Sequence, residues 1–239
     1  MVVAEELRER LRSNLRDVRF RMEAAAKRAG RDSSAIRLMA VTKTLPREIV
    51  QLAKAEGLSL FGENRVQEAQ VKYEGLLESC ELHLIGHLQR NKARMAAGVF
   101  RCVQSIDKTE TAEALSKHCA EIGRDMDVLL ELNTSGEQSK SGFAGREELL
   151  ACVDVMGKLP RLRLRGLMTV GPLTEDGAAV RASFSALRGV FAEISAGGMP
   201  GFDTLSMGMS GDFEIAIEEG ATLVRVGTAL FGPRTAVAA

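Results

Sequence analysis

The chain has 239 residues, of which 45% are hydrophobic, enough to bury a sizeable core and to fill one α/β barrel without forcing a split into domains. Its 32 basic side chains balance 32 acidic ones, so net charge attracts it to neither nucleic acid nor membrane. With no Trp and a single Tyr, it offers no base-stacking platform for single-stranded nucleic acid. A small-molecule site is what remains.

Cys80, Cys102, Cys119 and Cys152 form no C-x-x-C pair, and scattered cysteines of this kind read as reduced core thiols in a cytosolic setting. The opening MVVAEELRERLRSNLR turns charged after its first apolar residues, unlike a secretory signal. No run approaches the roughly 18 apolar residues of a membrane span. A cytoplasmic protein is expected.

The first thirty residues predict one amphipathic helix, because Leu7, Leu11, Leu15, Val18 and Met22 recur at spacings of three and four. Gly30 and the Arg-Asp-Ser-Ser after it close that helix. A rhythm of short apolar runs and helical stretches follows. Strands are expected at 37–42, 58–62, 82–86, 99–105, 127–132, 163–168, 203–206 and 222–226, with helices at 64–77, 108–122, 176–194 and 212–219 among the intervals. Strands alternating with helices imply parallel pairing through right-handed crossovers. About eight such units suit a closed (β/α)8 TIM-type barrel with an extra N-terminal helix better than an open doubly wound sheet. The chain 1–239 is therefore expected to be a single domain, with the helix over 1–30 and the barrel over 36–234.

In such barrels function gathers at the C-terminal ends of the strands. Lys43 directly follows the apolar run LMAVT and is a candidate nucleophilic amine. A surface lysine is the plain alternative. A lysine amine with its ordinary pKa of about 10.4 is mostly protonated at neutral pH, so imine formation asks for a favourable environment or a cofactor held close. Ser206-Met207-Gly208-Met209-Ser210-Gly211 precedes the helix expected at 212–219, a place where exposed N–H groups and the helix dipole can cradle an anion. Arg225-Val226-Gly227-Thr228 closes the last strand. Barrel phosphate sites use the loops after strands seven and eight, so the two segments strengthen each other. Alternation puts Arg225 and Gly227 on one face of that strand, and a charge among apolar neighbours needs a partner, such as a cofactor heteroatom.

AVTKT (40–44), FGENRVQEA (61–69), LHLIGHLQRNK (82–92), SKSG (139–142), RGLMTV (165–170) and LSMGMSGDFEIAIEEGATLVRVGTALFG (205–232) together make the chain resemble a known family. These are the pyridoxal 5'-phosphate (PLP) homeostasis proteins, whose fold resembles the N-terminal barrel of alanine racemase. The resemblance runs from about Ile36 to Arg234. It implies that Lys43 carries PLP, a vitamin B6 cofactor, as a Schiff base, and that Asn64 and Met168 line the pocket. It also implies that Ser206, Ser210, Gly227 and Thr228 bind phosphate, that Gly208 belongs to the cofactor site, and that Arg225 faces the pyridine nitrogen. The sequence departs from the family twice, with Leu82 where Trp is common and Gly211 where Asp is common.

Other signals take the plain reading. His83 and His87 straddle a strand end rather than sharing a helix face, so no metal is expected. His118 lies in a charged helix, and GEQSKSG (136–142) has the wrong spacing for a P-loop. Lys140 is a second candidate amine for PLP, with a surface lysine as the plain reading.

A racemase needs an acid/base on each face of the substrate. Enzymes resembling this barrel take the second base, a tyrosine, from an additional C-terminal domain. The chain reaches Ala239 soon after Gly232, and its one tyrosine, Tyr73, falls in the helix expected at 64–77. An arginine at the pyridine nitrogen stays charged and leaves PLP a weak electron sink. A non-enzymatic PLP binder that buffers or delivers the cofactor to apo PLP enzymes is therefore expected, with an amino-acid racemase-like enzyme as the alternative. The resemblance and the absence of a domain completing a site in trans suggest a monomer.

Overall fold

The computed structural model describes residues 2–137 and 139–233; Arg234, where the sequence places the end of the barrel, lies outside them. The elements alternate as expected. They run α1 (Val2–Arg28), β1 (Arg37–Val41), α2 (Arg47–Ala55), β2 (Leu60–Glu63), α3 (Val66–Lys72), β3 (Glu81–Leu84) and α4 (Ala93–Val99). They continue through β4 (Cys102–Ile106), α5 (Thr109–Glu121), β5 (Met126–Glu131), α6 (Arg146–Met156), β6 (Leu162–Met168) and α7 (Gly177–Ala196). The last are β7 (Thr204–Ser206), α8 (Phe213–Glu218), β8 (Leu223–Val226) and α9 (Thr228–Phe231). The strands close into one parallel barrel in chain order, with β8 returning to β1.

Several boundaries differ from the sequence reading by a residue or more, and three of these shifts have a clear local reason. The strand expected at 99–105 starts only at Cys102, because Val99 ends α4 and the Phe100 N–H still donates to Ala96. The strand expected from Leu58 starts at Leu60, because the Leu58 N–H donates back to Ala53 at the end of α2. The helix expected at 64–77 stops at Lys72; Gly75 then takes a left-handed φ of +70°, which ends a helix readily in glycine.

Side-chain alternation sorts the strand residues into two populations. One faces the helices and joins the main apolar core, with Leu82, Leu84, Val103, Val128, Leu130, Val224 and Val226 among its members. Leu82, the departure from the family's Trp, is fully buried there. The other fills the barrel interior, in a cluster of Met39, Leu60 and Leu223 and another of Cys102, Leu129 and Met168. At Gly166 the wall admits no side chain, since a Cβ would stand 1.7 Å from the Thr204 carbonyl oxygen. The register between β5 and β6 shifts at this glycine.

Helix α1 lies against α8 and α9. It buries Leu11, Leu15, Val18 and Met22 as its spacing predicts, while Leu7 is half-buried. Each such burial is worth about 1.5–3 kcal/mol. Arg21 reaches from α1 to Glu214 at 2.7 Å and stacks its guanidinium over Phe213. Among the described residues, no helix is long and apolar enough to cross a membrane.

Candidate functional site

A cavity of about 270 Å³ opens at the C-terminal ends of the strands, and its lining includes Lys43, Ser210, Arg225, Gly227 and Thr228. These groups come from the ends of β1 and β8 and from the loop after β7, so closure of β8 on β1 brings them together. Leu45, Ile85, Met209 and Phe231 supply apolar walls, and Gly211 lines the cavity where the family's Asp would stand. None of these four apolar residues was singled out from sequence, because an isolated apolar residue carries no local sign that it borders a cavity.

Lys43 sits inside a reverse turn. The Leu45 N–H donates to the Thr42 carbonyl at 3.0 Å, and Thr44 has a left-handed φ of +66°. That conformation is strained for a β-branched residue, costing on the order of 1–3 kcal/mol. Its hold on the Thr44 N–H is the carboxylate of Glu68, at 2.8 Å.

The Ser206–Gly211 loop is arranged differently from the simple anion cradle that the sequence suggests. Ser210 Oγ faces the start of α9 and accepts from the Gly227 and Ala229 N–H groups, each at 3.2 Å. Asp212 stands at the start of α8 and accepts from the Met209 N–H, so an acidic side chain occupies the helix end read from sequence as anion-receptive. Gly208 lies outside the cavity lining. Its φ is +92°, and a Cβ there would stand 2.5 Å from that of Ala216. It makes room for α8, while its carbonyl accepts from the Arg225 N–H at 2.9 Å.

Ser206 also departs from the expectation. It is fully buried within the barrel, where its Oγ accepts from Arg225 Nη1 at 2.7 Å and donates to Gln104 Oε1 at 2.7 Å. The polar chain continues inward. Gln104 Nε2 meets His83 Nδ1 at 2.8 Å, His83 Nε2 meets Glu81 at 2.7 Å, and Arg37 donates to Glu81 from below at 2.6 Å. Because the Gln104 oxygen accepts from Ser206, its amide group must donate to His83. The imidazole is then neutral, with its proton on Nε2 facing Glu81. Burial pushes the His83 imidazole down, while bonding to His83 holds the Glu81 carboxyl at about 2. The polar letter at Gln104, in a run otherwise apolar toward the barrel axis, was the available signal for this chain.

Arg225 has a second acceptor in the Thr169 carbonyl at 2.7 Å. Burial lowers its pKa to about 10, so it remains charged at neutral pH. Glu131 at the end of β5 is also buried; burial raises its carboxyl to about 7, Arg225 pulls it back and Asp107 pushes it further up. Asp107 is bonded to His87 at 2.8 Å.

Asn64 is half-buried just beyond β2, and its backbone lies where a Cβ on Gly86 would stand, within 2.4 Å. Met168 is fully buried in the interior cluster with Cys102 and Leu129. Neither is among the cavity-lining residues. Lys140 donates to Glu137 and to the Gly171 carbonyl and is likewise not among them. Tyr73 is buried behind the barrel wall, with its hydroxyl 2.7 Å from Thr42 Oγ1. His118 pairs with Glu121 on α5.

The closed parallel barrel defines a fold class, and comparison with known proteins agrees. Residues 10–235 match the family described as alanine racemase, N-terminal domain, and the chain belongs to that family. Within it, the chain is 45% identical to the pyridoxal phosphate homeostasis protein of Pseudomonas aeruginosa, covering 92% of this chain and 94% of that protein. It is 40% identical to the protein of the same name from Aquifex aeolicus, over 90% of this chain and 94% of that one. A solved structure of PipY from Synechococcus elongatus with PLP bound superimposes with a TM-score of 0.76 at 35% identity, covering 89% of this chain and 100% of that one. An alanine racemase of Clostridium difficile shares the fold alone, at 14% identity and a TM-score of 0.77, with the match spanning 96% of this chain and 58% of the racemase.

Proposed function

We propose that this single-domain chain binds PLP in the cavity and serves as a carrier in PLP homeostasis. The observation that carries the reading is the convergence of one lysine amine, Lys43, with the Ser210, Gly227 and Thr228 segment on a single cavity, with Arg225 beside them. Their chemistry fits the cofactor. Lys43 holds PLP as a Schiff base, while the Ser210 and Thr228 hydroxyls receive the phosphate, with Gly227 beside them holding Ser210 through its N–H. Arg225 meets the pyridine nitrogen. A guanidinium has only donors, so it gives that nitrogen a hydrogen bond and leaves its lone pair unprotonated, a poor electron sink. Asn64, Met168, Ser206 and Gly208 shape and support this pocket. The PLP bound in PipY, at 35% identity, and the name shared by the relatives at 40–45% identity support the same reading.

Carrier rather than racemase follows from what faces the cavity. Among the described lining residues, Lys43 and Arg225 are the ionisable ones, and Tyr73 is committed to Thr42 behind the wall. One amine serves one face. The protein acts as a cytoplasmic monomer that delivers vitamin B6 cofactor to apo PLP enzymes, and Lys140 is a secondary PLP amine at most.

Absorbance and reduction test this directly. Purified protein given PLP should absorb in the visible, and borohydride should fix the cofactor mass on the peptide carrying Lys43. A Lys43→Ala variant with the same spectrum and a full covalent load would refute the assignment. Holo-protein incubated with L-alanine in deuterated water should yield no α-deuterium above a cofactor-only control. Racemisation above roughly one turnover per second would make it an enzyme.

A further inference from the structure

The peptide groups on either side of Lys43 are governed by one buried ammonium. Lys72, the last residue of α3, is 8% exposed. Its Nζ donates to the Thr42 carbonyl at 2.8 Å, to Glu63 Oε1 at 2.9 Å and to Glu68 Oε1 at 2.7 Å. An ammonium has three protons, and here each has an acceptor. The Thr42 carbonyl directly precedes Lys43. The N–H that directly follows, that of Thr44, donates to the same Glu68 Oε1.

Further bonds anchor the ammonium. Thr42 Oγ1 donates to Glu63 Oε1 at 2.7 Å, so the Tyr73 hydroxyl on its other side is the donor to Thr42. Glu63 is fully buried and its Oε2 has no protein partner among the described residues. Desolvating a carboxylate to this degree is costly unless a cation is held against it, so Glu63 ties Lys72 to the barrel wall. Arg47 of α2 meanwhile accepts the end of α3 by donating to the Lys72 carbonyl at 2.9 Å.

We propose that Lys72 is a positioning residue for Lys43. It locks the 42–45 turn from outside the barrel, by direct contact before Lys43 and through Glu68 after it, and so fixes the direction in which the Lys43 side chain leaves the backbone. The strained φ at Thr44 is the conformation that this clamp maintains. A lysine side chain is long and flexible, so the placement of its amine depends on a fixed root. Misplacing a reacting group by about 1 Å can lower a rate by up to about a hundredfold.

The proposal rests on Lys43 being the amine that meets PLP, and the test separates the two. In the first arm, ligand-free protein is treated with trinitrobenzenesulfonate, and labelling of Lys43 relative to surface lysines is followed by peptide mass spectrometry. In the second, the rate of borohydride-trapped PLP attachment at Lys43 and the visible spectrum of the complex are recorded. Circular dichroism and thermal melting report folding throughout. Glu68 uses one oxygen for both of its bonds, so Glu68→Gln, whose carbonyl can do the same, should stay near wild type. Glu68→Ala should slow PLP attachment at least about tenfold, alter relative Lys43 labelling and shift the visible band, while remaining folded because the side chain is partly exposed. Lys72→Met combined with Glu63→Gln removes the ammonium and its buried counter-charge together, and should behave as Glu68→Ala does. Unchanged labelling, attachment and spectrum in folded Glu68→Ala would overturn the clamp, as would equal losses in Glu68→Gln and Glu68→Ala. Wild-type protein with no PLP on Lys43 would instead refute the cofactor assignment, with the labelling arm still reporting on the clamp.

Discussion

Arg225 spends one of its guanidinium nitrogens on the hydroxyl of Ser206, 2.7 Å away inside the barrel. The two serines of the Ser206–Gly211 segment therefore have different tasks. Ser210 borders the cavity, whereas Ser206 holds the arginine.

Substitution should separate them. Ser210→Ala removes a proposed partner of the phosphate, and charge-assisted bonds of this kind are worth about 1.5–3 kcal/mol. Affinity for PLP should fall by about 10–100-fold while affinity for dephosphorylated pyridoxal changes little. Ser206→Ala should weaken both ligands alike, because it acts through Arg225, and should lower stability by about 1–3 kcal/mol for the acceptor lost to a buried cation. Titration of each variant with both ligands checks this; selective loss of PLP in Ser206→Ala would contradict it.

Stability should depend on pH through two buried groups of opposite effect. Burial raises the Glu131 carboxyl from 4.5 to about 7, so between those values the folded protein keeps a proton that the unfolded chain has released. Its contribution to stability falls as pH rises through that window and stays lower above it. His83 is lowered from 6.5 by burial, so the unfolded chain takes up its proton first and stability falls as pH drops below about 6.5. The two slopes oppose each other in the wild type. Glu131→Gln should raise stability above pH 7 by about 1–3 kcal/mol and expose the acid limb due to His83. Thermal melts from pH 5 to 8 measure both effects, and an unchanged difference between variant and wild type across that range would rule out the Glu131 assignment.

Gly208 tests the packing beneath the loop. Gly208→Ala combines a left-handed backbone with a Cβ 2.5 Å from that of Ala216, so a loss of about 1–3 kcal/mol is expected. PLP binding should weaken with it, since α8 and Ser210 must shift to admit the methyl group. A melting temperature equal to wild type would show that the loop accommodates the change freely.

Much of this architecture was legible because strand alternation is a local property. The run LMAVT ends where Lys43 begins, and the shared face of Arg225 and Gly227 follows from a period of two; both residues line the cavity. Contacts across the barrel were not legible. Ser206 and Gln104 are 102 residues apart, and no local pattern indicates that an inward serine will meet an inward glutamine instead of an anion. The clamp around Lys43 was hidden for a related reason. Glu63 and Glu68 lie within the motif 61–69 and Lys72 just beyond it, but a lysine at a helix end ordinarily reads as solvated, and only the packing of α3 on the wall buries it. The glycine contact at Gly166 depends on how closely β6 and β7 approach, which sequence spacing does not encode.

The hydrogen bond from Asn14 to the Leu230 carbonyl joins residues 216 positions apart, at 2.8 Å, and ties α1 to the four-residue α9. So short a helix has little stability of its own and takes its shape from this docking and from the turn after β8. During translation Lys43 therefore emerges long before the groups that face it across the cavity. A nascent chain arrested before Arg225 would expose Lys43 without the residues that face it across the cavity. Ligand capture must await ring closure, and whatever then occupies the cavity stabilises only the closed form, in proportion to its free concentration over its dissociation constant. A ligand of the cavity would therefore favour chains in which α9 has docked on α1.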